Sequence, residues 1–219
     1  MSSLRKSFEH SIEQNKSMMI TMFDHVYAYY NKMFALLESN DYDDAKALVA
    51  EDFEINEQER SINEHSFIVI LKQAPVASDL RKLMTSVKIA NDLERIADYA
   101  SNVGIYIMKT KHENDTYRKL LLGYKEALLE MLLRIKDAYV SEDVKIAVDV
   151  CELDSQIDVL YKNHIKAFIL TAKRETNFEA EEASRALLVI KQLERAGDHI
   201  TNIAEHIIFL HTGKHVSLN

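Results

Sequence analysis

The sequence predicts an all-α fold: two tandem three-helix bundles, six long antiparallel helices related by an internal repeat. Three observations predict it. The 219 residues contain one proline and four glycines, too few for the turns of a many-stranded sheet. Apolar residues recur at steps of three and four, the spacing of one stripe on a helix. A stretch of acidic and apolar residues around Glu94 returns 100 residues later.

The first helix is expected over 3–38, where Met19, Met22, Val26, Tyr29, Met33 and Leu36 form the apolar seam. Ser39-Asn40-Asp41 supplies a stop and a cap. A second helix over 42–73 ends at Pro75, which cannot continue it but fits the start of a third over 76–110. His112-Glu113-Asn114-Asp115 is a polar gap, with Asp115 as the cap of a fourth helix over 116–140. That helix carries Leu121, Tyr124, Leu128, Met131, Ile135 and Ala138 on one seam. Ser141 is expected to cap a fifth helix over 142–174, and Glu175-Thr176-Asn177 separates it from a sixth over 178–211. The tail from Gly213 onward reads as a frayed end. Halves of 1–112 and 113–219 follow, each able to bury a core and long enough to pack side by side.

Composition narrows function. Hydrophobic residues make up 47%, enough for a packed core. A formal charge of −8 argues against nucleic-acid binding, which needs a basic patch. The single cysteine, Cys151, excludes an intramolecular disulfide and reads as a small packing residue in a reducing compartment. No uncharged apolar run approaches the ~18 residues of a membrane span, and the first residues do not resemble a secretory leader. A cytoplasmic protein is expected, reaching a membrane only through partners. Met18, Met19 and Met22 read as core filling, with a softened partner surface as the other use.

The repeat carries the chemistry. Leu93-Glu94-Arg95-Ile96-Ala97-Asp98-Tyr99-Ala100-Ser101-Asn102 matches Leu193-Glu194-Arg195-Ala196-Gly197-Asp198-His199-Ile200-Thr201-Asn202 at Leu, Glu, Arg, Asp and Asn. A fainter echo pairs Asp52-Phe53-Glu54-Ile55-Asn56 with Asp154-Ser155-Gln156-Ile157-Asp158. Ile89, Leu93, Ile96, Ala100, Val103 and Ile107 form the seam of the third helix. Val189, Leu193, Ala196, Ile200, Ile203 and Ile207 form that of the sixth. Glu94, Asp98 and Asn102 run beside the first seam, as Glu194, Asp198 and Asn202 run beside the second. Carboxylates four residues apart repel, and a cation between them reverses the sign. Their hard oxygens suit magnesium, calcium, manganese or iron. If neighbouring helices align, Asp52 and Asn56 face Glu94 and Asp98, and Asp154 and Asp158 face Glu194 and Asp198. Two oxygen-rich sites, or one composite site between the halves, would result. The plainer reading is a solvated helix face, with Arg95 and Arg195 pairing with acids of a neighbouring helix. Gly197 weakens its helix and permits a close helix approach.

The doubled Leu-Glu-Arg-x-x-Asp-x-x-x-Asn motif resembles the signature of the PhoU family. Gln73-Ala74-Pro75-Val76-Ala77-Ser78-Asp79-Leu80-Arg81 resembles the family's turn into its third helix, and the pieces at 52–56 and 154–158 resemble matching segments of its second and fifth helices. The resemblance covers nearly the whole chain. It implies two similar three-helix bundles. It also implies a negative regulator of phosphate uptake and of the phosphate-starvation response. Such a regulator links the ATPase subunit of an ABC phosphate transporter to a membrane sensor histidine kinase. Some members carry multinuclear metal clusters on these motifs, which carries over Glu94, Asp98, Glu194 and Asp198 as ligands, with Asp52, Asp154 and Asp158 as further candidates. Iron, zinc, manganese and magnesium are not separated by the sequence, and Asn56 in place of a second aspartate leaves the first site less charged. A homodimer is a further expectation. Two rivals stand beside this reading. A metal-independent helical adaptor would use the same seams. A carboxylate-bridged di-metal enzyme is disfavoured because Glu-x-x-His pairs are absent, as is a phosphate-binding Gly-x-x-x-x-Gly-Lys loop. His199 reads as hydrogen-bonded before it reads as a ligand.

Overall fold

A computed structural model describes residues 3–39, 42–110, 115–174 and 180–217. Among them every element is an α-helix. In chain order these are α1 (Ser3–Ser39), α2 (Tyr42–Gln73), α3 (Ala77–Lys109), α4 (Asp115–Leu122), α5 (Lys125–Ser141), α6 (Val144–Arg174) and α7 (Ala180–Thr212). The expected stops at 40–41, 112–114 and 175–177 lie outside the described residues.

The predicted seams are the core. Met19, Met22, Val26, Tyr29 and Met33 are fully buried, as are Ile89, Leu93, Ile96, Ala100 and Val103 of α3 and Leu193, Ala196, Ile200, Ile203 and Ile207 of α7. One continuous cluster of buried side chains joins both halves. Within the first half α1, α2 and α3 pack together, and within the second α5, α6 and α7 do. The halves meet chiefly along α3 and α7, with α1 against α5 beside them. Burial of aliphatic side chains at ~25 cal/mol per Å² drives this assembly, and the hydroxyls of Tyr29 and Tyr30 that go in with them are satisfied. Tyr30 Oη donates to the Ile96 carbonyl at 2.9 Å and Tyr29 Oη to the Leu48 carbonyl at 2.9 Å.

The second helix stops where proline dictates. Ala74 takes a positive φ of 43° and Val76 stands extended before α3 begins. Three expectations need correction. The helix expected over 116–140 is two helices, because Gly123 breaks it. The Gly123 amide is shared between the Lys119 and Leu120 carbonyls, both at 3.2 Å, and Tyr124 closes a tighter turn on Leu121. Glycine's low helix propensity permits the break. The seam survives it, with Leu121, Tyr124 and Leu128 fully buried. Ser141 does not cap the next helix. Its hydroxyl bonds back to the Asp137 carbonyl at 2.6 Å, α5 ends in the left-handed Glu142, and Asp143 Oδ1 accepts the Lys145 amide at 2.8 Å as the cap. The tail is not frayed through Ser217. Gly213 turns the chain at φ 71°, His215 stacks on Phe209 at 4.1 Å, and Val216 packs on the core.

Two acidic faces and a histidine bridge between the halves

Helix periodicity places each acidic line at the edge of its seam, and helix pairing brings two lines together. In the first half α2 contributes Asp52 and Asn56, and α3 contributes Glu94 and Asp98. Asn56 Nδ2 donates to Asp52 Oδ2 at 3.2 Å. The remaining acceptors, Asp52 Oδ1 and Asn56 Oδ1, are buried and accept no hydrogen bond from the protein. Burial, reinforced by the charge of Asp98, raises the Asp52 carboxyl above its ordinary value. Burial and Asp98 likewise raise Glu94; Arg95 opposes, while Glu59 and Asp52 add to the rise.

The second half repeats this with more charge. α6 supplies Asp154 and Asp158, and α7 supplies Glu194 and Asp198. Burial first, then Asp198, Asp158 and Glu194, push Asp154 from 3.8 up to about 7. Asp198 is also raised, by burial and by Glu194, with Lys191 opposing. Gly197 is what lets Asp154 in. A Cβ there would collide with Asp154 Oδ1 and lie 3.5 Å from Ile157 Cγ2. The close approach expected of this glycine is therefore specific: it admits a carboxylate.

The seven predicted acids thus gather into two groups. The charges acting on Asp52 and on Asp154 come from acids of their own half, while Tyr99 at the α3–α7 contact is acted on by Asp98 and Asp198 together. Arg95 pairs with acids of its own helix, Glu94 at 3.4 Å and Asp98 at 3.1 Å, and not with a neighbouring helix. Arg195 lies over the Tyr99 ring across the α3–α7 contact, 5.6 Å from its centroid. Lys191 holds Glu194 at 2.6 Å and Lys162 holds Asp158 at 2.9 Å, both one turn away on the same helix. As the side chains stand, among the described residues no group of three or more His, Cys, Asp and Glu is drawn together to hold a metal ion. The donor sets nonetheless fit a hard cation. Each face offers two carboxylates held above their ordinary values, Asp52 and Glu94 in the first and Asp154 and Asp198 in the second, and the first adds two buried acceptors without donors.

A polar link that the sequence reading did not assemble joins the halves. Asp92 of α3, with a side chain 13% exposed, meets His199 Nδ1 at 2.8 Å and His206 Nε2 at 3.3 Å, both from α7. Tyr99 Oη meets the other nitrogen of His199 at 3.2 Å. The imidazoles hold Asp92 below the ordinary carboxyl value in spite of its burial. The signal was available in the spacing: His199 and His206 are two turns apart and share a face of α7. Cys151 is half-buried, and burial with the Asp154 charge pushes its thiol up to about 11, which suits packing and not nucleophilic chemistry.

Fold and site together define a protein of two repeated helical bundles, each carrying one acidic face. A family model, the PhoU domain, matches twice, over residues 19–107 and 121–207. The chain belongs to the PhoU family. It is 32% identical over 219 residues to a Clostridium acetobutylicum protein named "phosphate-specific transport system accessory protein PhoU homolog", an alignment covering 98% of this chain and 99% of that relative. A Thermotoga maritima protein named "phosphate-specific transport system accessory protein PhoU homolog 1" is 31% identical, over 95% of this chain and 90% of the relative. The crystal structure of PhoU from Pseudomonas aeruginosa superposes with a TM-score of 0.88 at 27% identity, over 94% of this chain and 100% of that one. The Streptococcus pneumoniae phosphate transport system regulatory protein PhoU is similar in fold, with a TM-score of 0.86 at 23% identity over 96% and 99% of the two chains.

Proposed function

We propose that this chain is a cytoplasmic negative regulator of phosphate uptake and of the phosphate-starvation response, acting by contact and not by catalysis. Its partners in this reading are the ATPase subunit of an ABC phosphate transporter and a sensor histidine kinase, and two copies pair as a homodimer. The observation that carries it is the repeat itself: two PhoU matches spanning nearly the whole chain, in line with relatives named as accessory proteins of a phosphate-specific transport system. No helix among the described residues is long and apolar enough to cross a membrane, which is consistent with reaching the transporter through its ATPase.

In this reading Asp52, Glu94 and Asp98 hold one cation site, and Asp154, Asp158, Glu194 and Asp198 the other. Bound divalent or ferric ions would supply positive charge to carboxylates that now repel. The protein's own contribution is to gather those oxygens on paired helices and to leave room for Asp154 beside Gly197. Freeing Glu194 and Asp158 for a cation requires releasing Lys191 and Lys162. Cation loading would stiffen the α2–α3 and α6–α7 pairs and so set the surfaces presented to partners. A metal-independent adaptor is the second reading, and the same lysine and arginine pairs favour it, since they already neutralise part of each face.

The test is association of the purified protein with the transporter ATPase and with the kinase's cytoplasmic portion, in metal-stripped buffer and with added magnesium, manganese or iron. Binding that strengthens with metal supports the full reading. Binding indifferent to metal selects the adaptor, and no binding to either partner in any buffer rejects the regulatory reading.

A further inference from the structure

A cavity of about 230 Å³ opens where helices of both halves meet, and it differs in charge from the rest of the molecule. Ile12, Lys16 and their neighbours on α1 line it from one side, the first turns of α3 from Ser78 to Ser86 from another, and the ends of α5 and α7 close it. It lies away from the acidic faces, since Glu94 is two turns beyond Ser86 along α3, roughly 12 Å at 1.5 Å per residue.

Its ionised side chains are Lys16, Arg81 and Lys82, facing Glu13 and Glu142, with the imidazole of His211 beside them. Cations are in excess there, in a chain whose formal charge is −8. Lys16 Nζ sits 3.1 Å from Glu142 Oε1. That bond, with the nearby charges of His211 and Lys82, holds the Glu142 carboxyl below its ordinary value although partial burial opposes. Glu142 is therefore a carboxylate resting among cations. Its side chain is 55% exposed, free to swing out and yield them. Arg81 is held in place, its Cζ over the Phe209 ring at 5.5 Å from the centroid and its guanidinium close to Gly213, where a Cβ would stand 2.9 Å from Nη1. These contacts restrict the side chain, which lowers the entropy lost on binding an oxyanion.

The buried lining adds hydroxyls. Thr85 and Ser86 are 2% and 5% exposed, and Tyr139 is 8% exposed. Burial pushes the Tyr139 phenol up to about 12, so it stays protonated; it pairs with Ser86, whose own Oγ donates to the Lys82 carbonyl at 3.1 Å. Two lysines and an arginine around one cavity match an oxyanion with several acceptor oxygens better than a single carboxylate. At about 30 Å³ per water the cavity has room for roughly eight, enough for a phosphoryl group with a small substituent.

We propose that this cavity between the halves binds a phosphoryl-type oxyanion, held by Arg81, Lys82 and Lys16 and displacing Glu142. Because the lining comes from α1 and α3 of one half and α5 and α7 of the other, the ligand ties the two halves together. The inference rests neither on metal at the acidic faces nor on the partners proposed above.

The test uses the full chain, stripped of metal and exchanged into divalent-free buffer, so that anions cannot bind through ions on the acidic faces. Inorganic phosphate, pyrophosphate and glycerol 3-phosphate are titrated against sodium chloride of equal ionic strength, with Tm and phosphorus NMR line width as readouts. At least one of the three gives a saturable shift, about 3–5 °C in Tm at ten times Kd, and the one saturating lowest identifies the source. Arg81→Gln with Lys82→Gln abolishes the shift, whereas Lys125→Gln, a lysine paired with Glu38 elsewhere, keeps it. Glu142→Gln removes the competing carboxylate and tightens binding several-fold, a gain that misfolding cannot imitate. No saturable effect from any of the three anions, an unchanged shift in the double variant, or weaker binding by Glu142→Gln overturns the proposal.

Discussion

Asp154→Asn in metal-stripped protein isolates the strain stored in the second acidic face. Burial and the charges of Asp198, Asp158 and Glu194 lift the Asp154 carboxyl from 3.8 to about 7. A folded value above the unfolded one means that the folded state binds the proton more tightly. The stabilising contribution is therefore fully present below 3.8 and is lost as pH rises through about 7. At ~1.36 kcal/mol per unit the ceiling is ~4 kcal/mol. The carboxylate is partly exposed, and solvent screening reduces this to ~1–2 kcal/mol. Asparagine keeps the shape and removes the charge. At pH 8 the variant should be the more stable by that amount, or ~2–6 °C in Tm, and as pH falls to about 4, next to the unfolded value of 3.8, the gap should shrink to under half. Urea melts at the two pH values read the difference between the differences, which cancels any pH-independent cost of the substitution. With saturating divalent cation the order reverses at pH 8, because the wild type gains a ligand-bound carboxylate and the variant does not. A gap that is the same at pH 4 and pH 8, or a variant less stable at pH 8 than at pH 4 relative to wild type, refutes the reasoning.

Gly197→Ala places a methyl against Asp154 Oδ1 and should cost ~1 kcal/mol in a urea melt. In an Asp154→Ala background the sign should invert, because alanine is then favoured over glycine in a helix by ~1 kcal/mol. Tyr30→Phe leaves the Ile96 carbonyl without its 2.9 Å donor in a fully buried site, and chemical denaturation should show a loss of ~1–2 kcal/mol. Asp92→Ala strips His199 and His206 of their shared partner across the α3–α7 contact. It should cost ~1–3 kcal/mol, with faster amide exchange in α7 than in α2 as the mark of a loosened contact between halves.

Much of this was readable from residues alone, for identifiable reasons. The seams of α1, α3 and α7 were legible because a strict three-and-four spacing of large apolar residues has one outcome in water, a buried stripe. The pairing of Asp52 with Glu94 and Asp98, and of Asp154 with Glu194 and Asp198, was legible because the same spacing recurs in both halves. The break at Gly123 was missed because the seam runs through it unaltered, and a single glycine does not announce whether a helix bends or stops. Ser141 was assigned the cap that belongs to Asp143 because both are good capping residues two positions apart. The choice fell to the left-handed Glu142, which no propensity marks. The Asp92 bridge to His199 and His206 depends on how α3 lies against α7. Contacts between helices far apart in sequence leave no local pattern.

The central claim, that the repeated acids are cation sites and not merely solvated helix faces, is tested most directly by elemental analysis. The untagged protein, purified without chelators, is measured beside a variant with Glu94 and Glu194 changed to Gln and Asp98 and Asp198 changed to Asn. Stoichiometric metal in the wild type, lost from a variant that keeps its helical circular dichroism, is the predicted result. Equal metal in both, or none in either after growth and purification with magnesium, manganese and iron present, contradicts the claim and leaves the acids as helix-pairing and partner-contact residues.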